Sequence, residues 1–267
     1  MAKAPVTDIG GSVMLAEKWT PETDPTGWWM SEKLDGVRGF WTGSGMYSRN
    51  GKEFSIPDWL YRLLPPNVEM DGELYGGPGL FSHSVSIVKS GTADPTRWKS
   101  LRYMVFDVPL IGAAPFEQRV VAMRQLESAI GSKHVVAVAQ TQCRSPKHLG
   151  DFHKEVVGRG IEGTMLRAPG SQYERRRSRS LLKVKDFHDD EARIIGYVPG
   201  EGRHKGRLGA YECQLANGVR FRVGSGMSDQ ERDRPLKIGT VITVRYQELI
   251  AESGVPRFPT YVGPRAD

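Results

Sequence analysis

Ser31-Glu32-Lys33-Leu34-Asp35-Gly36-Val37-Arg38 is the stretch on which the reading of this chain turns. In an extended segment side chains alternate, so Lys33 and Asp35 are expected on one side, an amine beside a carboxylate, with Gly36 freeing the backbone to turn. A lysine attacks phosphorus only as a neutral amine and therefore needs surroundings that lower its pKa. Taken alone the stretch also reads as a surface turn, because Lys-x-Asp-Gly suits one equally well.

Working outward, Trp28-Trp29-Met30 leads into the lysine as an apolar strand, and Gly39-Phe40-Trp41 continues beyond it. Arg49 precedes an Asn50-Gly51 hairpin signal, where a guanidinium could clamp a ribose or phosphate. Pro57–Leu64 suggests a short helix. Val68–Tyr75 alternates as a strand, with Asp71, Glu73 and Tyr75 on one face. After the glycine-rich run 76–79 a helix is expected over Ser84–Lys89, and Leu101–Val108 is an apolar strand holding Phe106. Glu117–Ile130 has helical spacing at Val120, Val121, Met123 and Leu126, with Gly131 as a stop. Val135–Ala139 reads as a strand, Pro146–Val157 as a helix ended by Gly158, and Gly163–Arg167 and Leu181–Lys185 as further strands. Glu162 stands just before one of these, and Lys183 and Lys185 share a face of the other.

After Phe187 the chain changes to short strands separated by turns: 193–197, 210–215, 219–223, 240–248 and 259–262, with Asn217-Gly218 a hairpin signal and a short helix over Ser228–Arg234. That count suits a small, partly closed barrel of the oligonucleotide-binding (OB) type. The expected division is 1–187 and 188–267.

Composition narrows the class. The length of 267 residues suits one large domain or two modest ones, and the net charge of +6 leans toward a polyanionic partner. Residues 1–187 carry 25 Lys+Arg against 20 Asp+Glu, and 188–267 carry 12 against 11, so most of the excess lies in the first part. The two cysteines, Cys143 and Cys213, offer neither a disulfide framework nor metal-ligand spacing. No early apolar run is long enough for an export signal or membrane span, so a cytoplasmic place is expected, or a periplasmic one if such a signal has been removed. No Walker loop is present.

Each stretch also has a bland reading, as a solvated strand face or loop. Combined, a lysine nucleophile, two acidic strand elements and a dilysine strand suit attack on a nucleoside triphosphate. Carboxylates suit Mg²⁺, which bridges phosphates, and the two lysines would neutralise charge developing on the α-phosphate.

The order KLDGVR, SRNG, DGELYG, MVFDVP, EGTMLR, LLKVKDFHDDEA resembles the ATP-dependent DNA ligases of the covalent nucleotidyltransferase superfamily. The similarity is to the minimal bacterial and viral enzymes with only an adenylation domain and an OB domain. The implied fold class is α+β: antiparallel sheets with flanking helices, then an OB barrel. By this resemblance Lys33 takes AMP from ATP as a phosphoramidate, with Glu32 and Asp35 beside it. Arg38 contacts phosphate at the nick, Arg49 and Glu73 hold ribose and metal, and Phe106 stacks on adenine. Asp35, Glu73 and Glu162 are the metal candidates, for Mg²⁺ or Mn²⁺, and Lys183 and Lys185 grip the α-phosphate. Arg175, Arg176, Arg177 and Arg179 become candidates for DNA phosphate. Near the end PRFPTYVGPRAD makes Arg257 and Arg265 candidates for the pyrophosphate leaving group. The implied partner is nicked duplex DNA and the implied state a monomer. RNA ligase, mRNA-capping guanylyltransferase and a catalytically silent OB module are the competing readings.

Overall fold

A computed structural model describes residues 13–109, 113–250 and 253–265. The chain forms two compact units, Met1–Val184 and Lys185–Asp267.

In the first unit the elements are β1 (Leu15–Lys18), β2 (Trp29–Lys33), β3 (Val37–Trp41), β4 (Met46–Tyr47), α1 (Asp58–Leu63), β5 (Met70–Tyr75), α2 (Phe81–Val88) and α3 (Pro95–Trp98). There follow β6 (Arg102–Asp107), α4 (Phe116–Ile130), β7 (Val135–Ala137), β8 (Thr141–Gln142), α5 (Pro146–Gly158), β9 (Gly163–Arg167) and β10 (Arg177–Val184). They build two five-stranded sheets, ordered β1-β10-β9-β2-β8 and β4-β3-β5-β6-β7. The sheets are mixed rather than purely antiparallel. β1 runs parallel to β10, and β6 parallel to β7, the latter pair joined by α4 as a parallel crossover requires.

Two large clusters hold these layers. Trp41, Met70, Leu74, Trp98, Tyr103 and Phe116 form the main core on the second sheet. Met30, Leu166 and Leu182 pack with Leu149 of α5 against the first. Helix α4 stops at Gly131, whose φ of 60° closes the helix in the left-handed conformation that glycine tolerates. Its buried stripe is Phe116, Arg119, Val120 and Met123, whereas Val121, expected inside, is 54% exposed. α5 runs one residue further than expected, through Gly158, and is capped by Arg159.

Arg119 is inside because it has partners. Its Nε donates to Asp107 Oδ1 at 2.6 Å, and Arg167 donates to Asp107 Oδ2 at 2.7 Å. Arg119 also donates to the carbonyls of Ala114 and Ser171. One buried carboxylate thus ties α4, β6 and β9 together, the paired state in which a buried charge is tolerated.

In the second unit β11 (His188–Pro199), β12 (Leu208–Leu215), β13 (Arg220–Val223), α6 (Asp229–Asp233), β14 (Val241–Tyr246), β15 (Glu248–Leu249), β16 (Pro256–Arg257) and β17 (Thr260–Pro264) follow in order. Five of the strands form a sheet ordered β13-β12-β11-β14-β17, and a bridge between Ser225 and Thr260 draws its two edges together into a partly closed barrel. Ile194, Tyr211, Cys213, Val223, Ile242 and Val244 fill the interior. The hairpin at Asn217-Gly218 forms as read, with Gly218 at φ 89°. Helix α6 opens on a capping box between Ser228 and Glu231. Among the described residues no helix is long and apolar enough to cross a membrane.

Candidate active site

Strand β2 belongs to one sheet of the first unit and β3 to the other, so the turn Leu34–Gly36 carries the chain from sheet to sheet. Lys33 is the last residue of β2 and therefore sits where the two sheets part. The turn must be tight: a Cβ on Gly36 would lie 2.4 Å from the Leu74 carbonyl oxygen. This geometry corrects the premise of alternation. The strand ends at Lys33, and Asp35 lies beyond it in the connection to β3, so strand alternation does not set its direction.

Neighbouring strands bring the remaining groups to Lys33. In register, Lys33 pairs with Gly163 of β9, and Arg38 pairs with Glu73 of β5. Gly163 is packed so closely that a Cβ there would meet the Val184 carbonyl oxygen at 2.4 Å. That approach delivers Glu162 to the lysine, and the two side chains form an ion pair. A cavity of about 240 Å³ opens over Lys33, and Glu162 reaches it only through that ion pair. Its wall includes Glu32, Arg38, Arg49, Glu73, Phe106 and Lys183, all expected from the sequence.

Electrostatics in this cavity are uneven. Burial pushes the Glu73 carboxyl up to about 8, although the cations Lys33 and Arg38 pull the other way. Arg38 is also mostly buried, which disfavours its charge, but Asp71 overcomes that and raises its pKa. The pair is bidentate, Nε to Oδ1 at 2.9 Å and a terminal nitrogen to Oδ2 at 2.5 Å. Tyr173 donates its hydroxyl to Asp71 Oδ2 at 2.6 Å and accepts the Met14 amide at 3.0 Å. Burial and the Asp71 charge both raise the tyrosine's pKa, so it stays a donor. The Arg38 guanidinium rests 5.2 Å from the centre of the Phe106 ring. Outside the ring, Glu32 accepts from Arg159 at 2.7 Å.

A lysine ion-paired at a cavity with a ring and further cations on its wall is the geometry this chain brings to a comparison with known proteins. The family described as ATP dependent DNA ligase domain matches residues 13–185, and the one described as DNA ligase OB-like domain matches residues 199–265. The chain belongs to the ATP-dependent DNA ligase family. A DNA ligase of Haemophilus influenzae is 36% identical over 235 residues, 88% of this chain and 85% of that protein. A DNA ligase of Archaeoglobus fulgidus is 26% identical over 88% of this chain but only 51% of its own, longer chain. A solved Lig E DNA ligase, from work on DNA binding with a minimal scaffold, superposes with a TM-score of 0.89 at 32% identity, over 95% of this chain and 99% of that one. The Chlorella virus DNA ligase-adenylate, at 24% identity and a TM-score of 0.56, shares the fold.

Other candidates of this ligase lie elsewhere. Asp35 is absent from the cavity wall, and among the described residues no three carboxylate, histidine or cysteine side chains are gathered to hold a metal. The trio Asp35, Glu73 and Glu162 is therefore not assembled as a cluster, because Asp35 follows the turn away. Lys185 falls in the second unit, where its Nζ donates to Gln247 Oε1 at 2.9 Å. Arg265 pairs with Glu191 at 2.8 Å, and the Arg257 guanidinium lies over Phe258. In the arginine run, Arg175 pairs with Glu69, Arg176 with Glu174 and Arg179 with Glu17, while Arg177 reaches the cavity wall.

Sequence reasoning passed over Asp71 as a partner, Tyr173, Arg167, Gln140 and Met165. The first two orient Arg38, and the last three line the cavity. The adjacency of Asp71 to Glu73 on one strand was the available signal for the first. Tyr173 lies 102 residues from Asp71, and nothing local marks it.

Proposed function

We propose that this ligase seals nicks bearing a 5′-phosphate and a 3′-hydroxyl in duplex DNA, through AMP carried on Lys33. The observation that carries the reading is the ion pair between Lys33 and Glu162 at the cavity's edge. Glu162 is placed to take the proton that Lys33 must lose before its Nζ attacks the α-phosphorus of ATP. The new N–P bond forms as the bond to the pyrophosphate oxygen breaks. Lys183 and Arg49 supply positive charge for the phosphates, and Phe106 supplies a stacking face for adenine.

Mg²⁺ fits the donors present. Glu73 lines the cavity as a carboxyl that burial keeps protonated until a cation displaces the proton, and Glu162 is tied to the cavity through Lys33. Two carboxylates plus substrate oxygens and water are the usual surroundings of this ion. When bound it neutralises phosphate charge. In this reading AMP then passes to the 5′-phosphate of the nick, and the 3′-hydroxyl displaces it to form the phosphodiester. The chain works as a monomer, with Asp35, Lys185, Arg257 and Arg265 in supporting roles and 188–267 as the OB domain. A cytoplasmic place belongs to the same reading and is checked by cell fractionation.

The test is incubation with α-labelled ATP and Mg²⁺ after pyrophosphate has stripped any resident AMP. An adduct of one AMP that disappears in Lys33→Ala is expected. GTP should give none, and nicked DNA should be sealed in preference to nicked RNA. An adduct that persists in Lys33→Ala would overturn the assignment.

A further inference from the structure

Resting on the nick-sealing reading, we infer that a second, phosphate-free groove of the first unit, lined by Lys99, Arg102 and Lys133, is a track for the DNA backbone beside the active site. The groove has a volume of about 340 Å³ and is floored by Tyr75 and the glycine-rich loop 76–78, with His134 at its side. No carboxylate lines it among the described residues. All three cations are exposed, and none has an ion-pair partner there.

The contrast with the arginine run decides the choice of surface. Three of those four arginines already face a glutamate, and Glu174 and Glu17 line the hollows around them. A phosphate arriving there must compete with carboxylates. At Lys99, Arg102 and Lys133 it meets three cations and, among the described lining residues, no carboxylate. Lys99 follows α3, Arg102 opens β6 and Lys133 precedes β7, so three separate elements present their cations to one hollow.

Placement relative to Lys33 follows from strand register. Glu73, on the wall of the active-site cavity, is two residues before Tyr75, so the two side chains share a face about 7 Å apart. Tyr75 pairs with Arg102 on the adjacent strand, about 5 Å across. The groove therefore begins within about 10 Å of Glu73, close enough for one DNA strand to span both. Tyr75 lines the groove and Glu73 the cavity, so the strand β5 joins the two.

The experiment compares three proteins: unaltered, Lys99→Ala/Arg102→Ala/Lys133→Ala, and Arg175→Ala/Arg176→Ala/Arg179→Ala. Each is tested for self-adenylation, then titrated with fluorescent nicked duplex carrying a 3′-dideoxy end, from 50 to 200 mM salt. The groove variant should be adenylated normally. Three lost phosphate contacts should flatten the slope of log K against log salt by about 2.7, so the unaltered protein loses roughly 40-fold more affinity over that range. Unchanged affinity and slope in the groove variant, or a loss confined to the arginine-run variant, would overturn the inference while leaving the nick-sealing reading standing. Failure of the unaltered protein to take AMP or bind nicked duplex would instead bring down that reading itself.

Discussion

Glu73 offers the sharpest quantitative test. In an unfolded chain its carboxyl titrates near 4.5, and in the cavity it is pushed up to about 8. Between those values the folded protein keeps a proton that the unfolded chain has lost, so stability must fall as pH rises from 4.5 to 8. At about 1.4 kcal/mol per pH unit the ionised side chain costs at most roughly 5 kcal/mol above pH 8. Glu73→Gln keeps the shape and removes the titration. The variant should therefore match the parent below pH 4.5, gain on it steadily through neutrality and level off above pH 8. Urea unfolding of AMP-free protein at pH 4.5, 7 and 9 measures the difference. Tryptophan fluorescence is the right probe, because all six tryptophans (Trp19, Trp28, Trp29, Trp41, Trp59 and Trp98) belong to the first unit. Taking the difference between two proteins cancels the titrating groups that do not interact with Glu73, leaving its own proton and its coupling to Lys33, Arg38, Asp71 and Glu162. A difference independent of pH, or one favouring glutamate as pH rises, would refute the reasoning.

The remaining predictions concern the scaffold around the site. Asp107→Asn should destabilise the first unit by about 3–5 kcal/mol in urea, since two buried arginines lose their shared counter-charge. Tyr173→Phe should cost about 1–3 kcal/mol and slow AMP transfer to nicked DNA in single-turnover kinetics, because Asp71 loses the donor that helps fix Arg38. Gly36→Ala should reduce self-adenylation sharply, as the new methyl drives the Lys33 turn away from Leu74. Ser228→Ala, in the capping box of the second unit, should cost about 1 kcal/mol by calorimetry and leave adenylation unchanged.

Local chemistry made much of this molecule legible. Strand β9 spans Gly163–Arg167 as read, and the lysine, both glutamates Glu73 and Glu162, Phe106 and Lys183 converge as their motifs suggested. Misreadings came where pairing is long-range. Arg119, Arg167 and Asp107 look like surface charges in sequence, and only contact between distant elements makes them a core. Strand β1 is too short to show alternation, and its strandhood comes from β10, about 160 residues later. The arginine run read as a loop, yet β10 begins at Arg177 because β1 lies alongside it. For Asp35 the limit is different: strand periodicity was carried past the end of β2 at Lys33, where it no longer applies.

The sheet order β1-β10-β9-β2-β8 has a consequence for synthesis. Lys33 leaves the ribosome early, yet its strand is flanked by β9, and β9 by β10, which ends at Val184. Loop closure of that length is costly before its contacts form, so this sheet completes only when nearly the whole first unit has emerged. Until then the amine has neither Glu162 nor Lys183 beside it. If Lys33 carries AMP as proposed, a truncated or nascent chain would hold that residue without the partners that activate it, and could not draw AMP into a protein unable to pass it on.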